Sequence, residues 1–377
     1  MSTETKRRAP IRVAYVIGSF ETGGTEHYLL RMLRHIDRER FDPYVVTLSD
    51  TGDLRDVIHE LAPIYTVQLT GKLFNGRGLR ELWRLRGWFR ANRIDVVHLL
   101  MDWATVYGGI AARIARLRGI PTVASNRMTD FPPTMSPGLI RLYMFSLRHL
   151  SNHILPNSQS VADVLAKLRV DPRRMTVIHN GIPDHRLRPY SDPPNETPLT
   201  ICSVGRLRPE KGQRFLVEAF ALLKKRGYAV RLLIVGSGTE DATIRQRAEE
   251  LGVTNDIEWT GYREQPMPDI ERSHVCVLPS LTEGFPNAVV EYMAGGRAVV
   301  ATDVGGVREI VTPGETGLLI PPGDPVAMAD ALAKLADDAE LRETLGRNAR
   351  ALVEAKFTAR IETEQTCRIY ENVLDER

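Results

Sequence analysis

Short apolar runs rich in β-branched residues alternate with stretches of helical periodicity along the whole chain. This alternation is typical of repeated βα units, in which buried parallel strands are covered by helices on both faces. The strand candidates of the first half are residues 11–17, 43–48, 65–69, 94–100, 121–125, 153–157 and 175–179. Those of the second half are residues 199–205, 230–236, 256–261, 275–279, 298–302 and 317–321. The pattern predicts an α/β fold with two doubly wound sheets.

A polar segment, residues 183–198, separates the two series of strands. It contains five prolines and has no helical or strand period, which is the composition of an interdomain linker. A length of 377 residues also suits two domains. We therefore predict Rossmann-like domains over residues 1–185 and 195–356, with a last helix over 357–377 that returns to the first domain. Ligands of such sheets bind beyond the carboxyl ends of the strands, which predicts a site in a cleft between the two domains.

Composition excludes several classes of protein. Cys202, Cys276 and Cys367 are too few and too scattered for a disulfide framework or a metal cage, and no run of about 18 apolar residues or secretion signal is visible. We therefore expect a cytoplasmic protein without a membrane span or a cofactor. Residues 1–190 carry 28 Lys and Arg against 17 Asp and Glu, but no groove-reading motif accompanies this basic charge, so a nucleic-acid partner is not expected.

Glycine-rich turns follow two of the predicted strands. Gly23 and Gly24 precede a helix whose N-terminal N–H groups would point at a bound group. Gly236 and Gly238 lie in the sequence "VGSGTED". Neither turn matches the dinucleotide pattern G-x-G-x-x-G. A plain glycine-rich βα turn is the alternative for the turn with Gly23 and Gly24.

A basic turn, "RLRPEKG", follows the first strand of the second half. It places Arg206 and Lys211 just before a helix, where two cations suit a diphosphate. The chain has no G-x-x-x-x-G-K-[ST] loop, which argues against ordinary ATPase chemistry. A solvated surface turn is the alternative.

Two carboxylates, Glu283 and Glu291, stand eight positions apart in "LTEGFPNAVVEYMAGG". Gly284 allows close approach of the main chain, Pro286 suits the start of a helix, and residues 287–289 would then offer free backbone N–H groups to an anion. Carboxylates on either side of a diphosphate could accept hydrogen bonds from a sugar and a ribose. In the alternative interpretation, Glu283 only stabilises the helix dipole and Glu291 is a surface residue.

Taken together, these segments resemble the retaining glycosyltransferases of family 4, the group 1 glycosyltransferases with the two-domain GT-B fold. The matching segments are "GGTEHYLLRML", "NSQSVAD", "VIHNGIP", "VGRLRPEKG", "EGFPNAVVEYMAGGRAVVATDVGGVREIV" and "GETGLLIPPGD", which extend over nearly the whole chain in the family's order.

The resemblance implies roles for individual residues. Arg206 and Lys211 would bind the donor diphosphate, Glu283 the donor sugar and Glu291 the ribose, with Glu283, Arg206 and Lys211 as the catalytic group. The other implied donor contacts are Gly23, Gly24, Gly236, Gly238, Tyr262, Arg263, Gly284, Phe285, Pro286, Asn287 and Ala288. The family usually needs no metal, so cations and helix N-termini would stabilise the leaving diphosphate.

One segment departs from the family pattern. Many members carry a histidine after the strand "IPTVAS", whereas this chain has Asn126 and Arg127 there. These two residues are candidates for the acceptor or catalytic loop, with an inert loop as the alternative. His98 partly resembles another family segment, although a histidine at a strand end is often structural.

The resemblance predicts a metal-independent transfer of a sugar from a UDP-sugar, or secondly a GDP-sugar, to a hydroxyl acceptor with retained anomeric configuration. The acceptor would be a lipid-linked or envelope glycan in polysaccharide biosynthesis. A GT-B sugar-nucleotide epimerase and a non-catalytic nucleotide-sugar or lipid binding protein remain alternatives.

Residues 72–93 have the composition of a membrane-surface helix. They include seven Lys or Arg, one acid and several aromatic residues. We expect a peripheral contact with anionic lipid at the inner face of the membrane. A helix packed on its own sheet, with Trp and Leu inward and Arg outward, is the alternative.

Overall fold

The structure is a computed structural model that describes residues 9–67, 76–116, 119–128, 135–192 and 197–376. The chain divides into two compact units. Unit 1 contains the residues up to His179 and those from Ala359 onward, and unit 2 contains Asn180–Thr358. Each unit has a parallel six-stranded sheet between layers of helices, so the prediction of two doubly wound α/β sheets is confirmed.

Unit 1 is built on a sheet of order β3-β2-β1-β4-β5-β6. The strands are β1 (Ile11–Ile17), β2 (Phe41–Thr47), β3 (Ile64–Thr66), β4 (Val96–Leu100), β5 (Thr122–Asn126) and β6 (His153–Pro156). The helices are α1 (Gly24–His35), α2 (Arg55–Leu61), α3 (Gly76–Ala91), α4 (Asp102–Ala115), α5 (Pro137–His149) and α6 (Gln159–Lys167). Positions 68 and 69 of the third strand candidate lie outside the described residues.

The strand predicted at residues 175–179 is wrong. This segment runs beside β6 and donates from the Thr176 and Ile178 N–H groups to the carbonyls of Ile154 and Pro156, but it makes only an isolated bridge. The next bond of a parallel ladder would come from the backbone nitrogen of Pro156 to the Thr176 carbonyl. Proline has no N–H to donate, so the ladder stops.

Unit 2 repeats the same winding, with the order β12-β11-β10-β7-β8-β9. All six strands predicted for this half are present: β7 (Leu199–Val204), β8 (Val230–Val235), β9 (Ile257–Gly261), β10 (Val275–Leu278), β11 (Ala298–Thr302) and β12 (Leu318–Ile320). The helices are α7 (Gln213–Lys225), α8 (Asp241–Glu250), α9 (Met267–Glu271), α10 (Asn287–Ala294), α11 (Pro325–Asp337) and α12 (Ala339–Lys356).

The last helix, α13 (Ala359–Asp375), belongs to unit 1 and packs against α1. Cys367 and Tyr370 of α13 lie in the same apolar core as Phe41. The buried Glu362 carboxylate accepts a hydrogen bond from Arg31 at 2.7 Å. Apolar packing and a buried ion pair therefore both hold α13 on unit 1.

In the part of the chain that the structure describes, no helix is both long enough and apolar enough to span a bilayer.

Candidate functional site

A cavity of about 400 Å³ lies in unit 2 beyond the carboxyl ends of β7 and β10. The order of strand addition reverses between these two strands, and such switch points are where doubly wound sheets bind ligands. The lining residues are Ser203, Val204, Gly205, Arg206, Lys211, Gln213, Leu278, Pro279, Ser280, Glu283, Phe285, Pro286, Asn287, Ala288 and Glu291. All three residues of the expected catalytic group are among them.

Glu283 and Lys211, which the sequence places 72 positions apart, are in direct contact. The Lys211 Nζ donates to Glu283 Oε1 at 2.6 Å, and the Ser280 hydroxyl donates to the same oxygen at 2.7 Å. The Glu283 side chain is 7% exposed and that of Lys211 is 29% exposed, so the pair lies at the cavity wall. Two donors on one oxygen fix the orientation of the carboxylate. Sequence reasoning missed Ser280, although it lies only two residues after the end of β10.

The turn after β11 packs against the segment that carries Glu283. Gly305 has a φ of +50°, and a Cβ added there would come within 1.7 Å of the Glu283 carbonyl oxygen. Gly306 donates its N–H to the Gly284 carbonyl at 3.2 Å. The buried Thr302 hydroxyl donates to the Ser280 carbonyl at 2.5 Å. Only a glycine at position 305 lets these two chain segments lie so close.

The start of α10 offers fewer free N–H groups than the sequence predicts. Pro286 directly precedes the helix, and the N–H groups of Asn287 and Val289 donate to the carbonyls of Phe285 and Pro286. The Asn287 bond closes a γ-turn around Pro286, and the Val289 bond is of the 3₁₀ type, so two of the three donors expected to be free are satisfied. Only Ala288 keeps an N–H without an acceptor among the described residues.

Glu291 lies one turn into α10 and lines the same cavity as Glu283. Its carboxylate forms an ion pair with Arg186, a residue that sequence reasoning missed. The Asn180 side chain donates to Asn287 Oδ1 at 2.8 Å, which is a second missed contact. No local pattern marks either partner, because they lie more than 100 positions before α10.

Arg206 lies at the cavity mouth and is exposed. The buried Gln213 donates from Nε2 to the Arg206 carbonyl at 3.1 Å, and its Oε1 has no partner among the described residues. Gly236 and Gly238 do not line the cavity. A Cβ on Gly236 would lie 1.9 Å from the Gly205 carbonyl oxygen, so this turn packs against the backbone leading to Arg206.

The remaining predicted donor contacts lie outside the cavity lining. Tyr262 follows β9 and is 68% exposed, and Arg263 forms an ion pair with Asp269 at 3.6 Å. Gly23 and Gly24 lie at the N-terminus of α1 in unit 1. In the described part of the chain, no three His, Cys, Asp or Glu side chains converge as a metal site would require.

Asn126 and Arg127 lie at the end of β5, and both are engaged within unit 1. The buried Asn126 amide donates to the Tyr143 hydroxyl at 2.8 Å. The Arg127 guanidinium lies 3.9 Å from the centre of the Tyr28 ring and pairs with Glu362 at 3.5 Å. Burial lowers the pKa of Arg127, while the Glu362 carboxylate opposes that shift.

His98 is a buried structural residue. Its ring nitrogens contact the Tyr370 hydroxyl at 2.5 Å and the Ser125 hydroxyl at 2.8 Å. Burial, and secondly the charge of Arg127, lowers the pKa of His98 to about 3. The imidazole is therefore neutral near pH 7 and links β4 to β5 and α13.

Comparison with known proteins supports the resemblance seen in the sequence. The family model for glycosyl transferases group 1 matches residues 189–352, and that for glycosyltransferase family 4 matches residues 22–186. The capsular polysaccharide biosynthesis glycosyltransferase CapM of Staphylococcus aureus is 34% identical over 180 residues, about half the length of each protein (47% of each).

Two similar proteins match over most of their length. The D-inositol 3-phosphate glycosyltransferase of Corynebacterium glutamicum is 34% identical over 371 residues, with 88% of each chain covered. The crystal structure of Anabaena HepE in complex with UDP superposes with a TM-score of 0.82 at 21% identity, covering 96% of this chain and 100% of that one. At that identity the superposition shows the fold, which is GT-B. The chain belongs to the group 1 glycosyltransferases of family 4.

Proposed function

We propose that this protein transfers a sugar from a UDP-sugar, with a GDP-sugar as the second option, to a hydroxyl acceptor with retained anomeric configuration. The observation that carries the proposal is the cavity of unit 2, where the Lys211–Glu283 pair, Arg206 and Glu291 line one space at the switch point. HepE, which has the same fold, was crystallised with UDP and with UDP-glucose.

In this proposal Lys211 bridges the donor sugar site and the diphosphate. An ammonium group has three N–H donors, so Nζ can keep its bond to Glu283 and still donate to a phosphate oxygen. No residue in the described part of the chain donates a hydrogen bond to Glu283 Oε2. This oxygen is therefore available to accept a hydrogen bond from a sugar hydroxyl. The pair would hold sugar and phosphate together.

The charge that develops on the leaving diphosphate would be stabilised by Arg206, Lys211 and the Ala288 N–H. Fixed cations act strongly in a site shielded from water, because they need no reorganisation during the reaction. The backbone of residues 284–287 would line the sugar and phosphates, Glu291 would bind the ribose, and Tyr262 and Arg263 would lie near the base.

We propose that unit 1 binds the acceptor, a lipid-linked or envelope glycan. The C. glutamicum and S. aureus relatives, by their names, act on D-inositol 3-phosphate and in capsular polysaccharide biosynthesis. Inositol phosphates and polysaccharides both present hydroxyl groups. Gly23, Gly24, Asn126 and Arg127 are the unit 1 residues to test for acceptor or donor contacts.

A donor panel tests this assignment. We expect one UDP-sugar to raise the melting temperature more than GDP- and ADP-sugars, because a ligand that binds only the folded state stabilises it. The stabilising donor should be consumed only when a hydroxyl acceptor is added, and NMR of the product should show the donor's anomeric configuration. Conversion of the donor alone to an isomer would indicate an epimerase, and binding without turnover on any acceptor would indicate a non-catalytic protein.

We also propose a peripheral contact between α3 and the anionic inner face of a membrane. Leu82, Leu85 and Phe89 of α3 are buried, whereas Leu79 and Trp83 are 47% and 58% exposed. The outward face also carries the exposed arginines Arg77, Arg80, Arg84 and Arg90. Exposed apolar side chains among arginines suit the membrane interface, where Trp is favoured and anionic lipid attracts the cations. Positions 72–75 of the predicted segment lie outside the described residues.

Vesicle co-sedimentation tests the α3 contact. The wild type should bind anionic vesicles more strongly than neutral ones, and Trp83→Ser should weaken that binding several-fold. Val326→Ser is the matched control, because Val326 is similarly exposed (52%) but lies in unit 2. Equal binding to both vesicle types at low salt, or an equal effect of the two substitutions, would contradict the proposal.

A further inference from the structure

Arg186 links two parts of unit 2 that the proposed function assigns to the nucleoside. It ends a short 3₁₀ helix, Asp184–Arg186, near the start of the unit. One guanidinium nitrogen pairs with Glu291 Oε1, and the other donates to the Glu264 carbonyl at 3.1 Å. Glu264 lies in the turn after β9, next to Tyr262 and Arg263. A single cation thus contacts the expected ribose carboxylate and the expected base loop.

The ion pair is largely shielded from solvent. The side chains of Arg186 and Glu291 are 20% and 14% exposed. Charge-assisted bonds in such surroundings are stronger and more directional than those of exposed pairs. The pair therefore restrains the orientation of the Glu291 carboxylate.

A second contact from the same segment supports α10 at its start. The Asn180 amide bonds Asn287 Oδ1, and Asn287 lies four residues before Glu291, on the same face of the helix. Residues 180–186 therefore hold two side chains that line the cavity. Arg186 itself is not among the lining residues, so any effect on a ligand must act through Glu291 or the Glu264 loop.

We propose that Arg186 is a positioning residue for the nucleoside part of the donor. It orients the Glu291 carboxylate toward the ribose hydroxyls, and its bond to the Glu264 carbonyl holds the guanidinium itself in place. This inference rests on the proposed function, because it takes the cavity as the site of a nucleoside diphosphate.

Calorimetry with ligands that differ only in the ribose tests the inference. The probes are whichever of UDP, GDP and ADP the wild type binds most tightly, and its 2′,3′-dideoxy form. The wild type should bind the dideoxy form about tenfold more weakly, the effect of losing a hydrogen bond to a charged group. Arg186→Gln should bind the natural diphosphate about tenfold more weakly than the wild type does. It should bind the dideoxy form with the same affinity as the wild type. Its KM for the sugar donor should rise with little change in kcat.

Two further variants control for folding and for charge. Arg188→Gln is matched, because Arg188 lies on the same segment and pairs with Glu271 at 2.8 Å, away from the cavity, and it should behave as the wild type. Arg186→Lys keeps the charge but loses the two-pronged guanidinium, so it should recover part of the ribose discrimination.

The outcomes separate the inference from the proposed function. If Arg186→Gln weakens both ligands equally, or neither, while the wild type discriminates between them, the positioning role is wrong and the proposed function stands. If the wild type binds none of the three diphosphates, the proposed function fails and this inference fails with it.

Discussion

Lys211→Ala is expected to lower the rate of sugar transfer by about two to three orders of magnitude, a typical effect of removing one group that stabilises charge in a transition state. Among the described residues, the Lys211 ammonium is the only cation bonded to Glu283, and together with Arg206 it lines the cavity proposed to hold the diphosphate. Its loss removes a phosphate contact and leaves a buried carboxylate without its counter-charge. Steady-state kinetics should show a fall in kcat.

Lys225→Ala is the control for Lys211→Ala, because Lys225 is an exposed lysine at the opposite end of α7. It should retain the wild-type rate. The melting temperature of Lys211→Ala should show that the protein is still folded. A folded Lys211→Ala variant with the wild-type rate would contradict the assigned role of Lys211.

Glu283→Gln is expected to lower kcat by about 100-fold or more, since the amide keeps the shape of the side chain but loses the charge that pairs with Lys211 and binds sugar hydroxyls. Ser280→Ala should have a smaller effect, because it removes one of the two bonds to Oε1 and leaves the ion pair. Glu249→Gln, an exposed change on α8, is the control.

The double variant Lys211→Ala with Glu283→Gln shows whether the two residues act as a unit. Groups that act together have non-additive effects, so the double variant should be little slower than the worse single variant. If the rate of the double variant falls by the product of the two single-variant factors, the two residues act independently. A folded Glu283→Gln variant with the wild-type rate would contradict the assignment of Glu283 to the site.

Most of the fold could be predicted because the parallel strands are buried on both faces and read as continuous apolar runs. The failure at residues 175–179 has a local cause in the neighbouring strand, where Pro156 cannot donate the next ladder bond. The sequence of one segment alone does not show which backbone N–H groups the neighbouring strand can donate.

The site could be predicted where its residues are close in sequence. Glu283 and Glu291 lie on one strand-to-helix connection, and both line the cavity as the spacing suggests. Contacts such as Arg186 with Glu291 depend on the folded chain and leave no local pattern. Fewer backbone N–H groups are free at the start of α10 than the sequence predicts, because the first turn is tighter than an ideal α-helix.

The central claim is that unit 2 binds a nucleoside diphosphate through Arg206, Lys211 and the start of α10 without a metal ion. Calorimetric titration of UDP, GDP and ADP in the presence of EDTA tests it most directly. We predict saturable binding of at least one of them to the wild type, and binding at least about tenfold weaker to Arg206→Ala and to Lys211→Ala. No binding of any diphosphate by folded wild-type protein, or unchanged affinity in both variants, would contradict it.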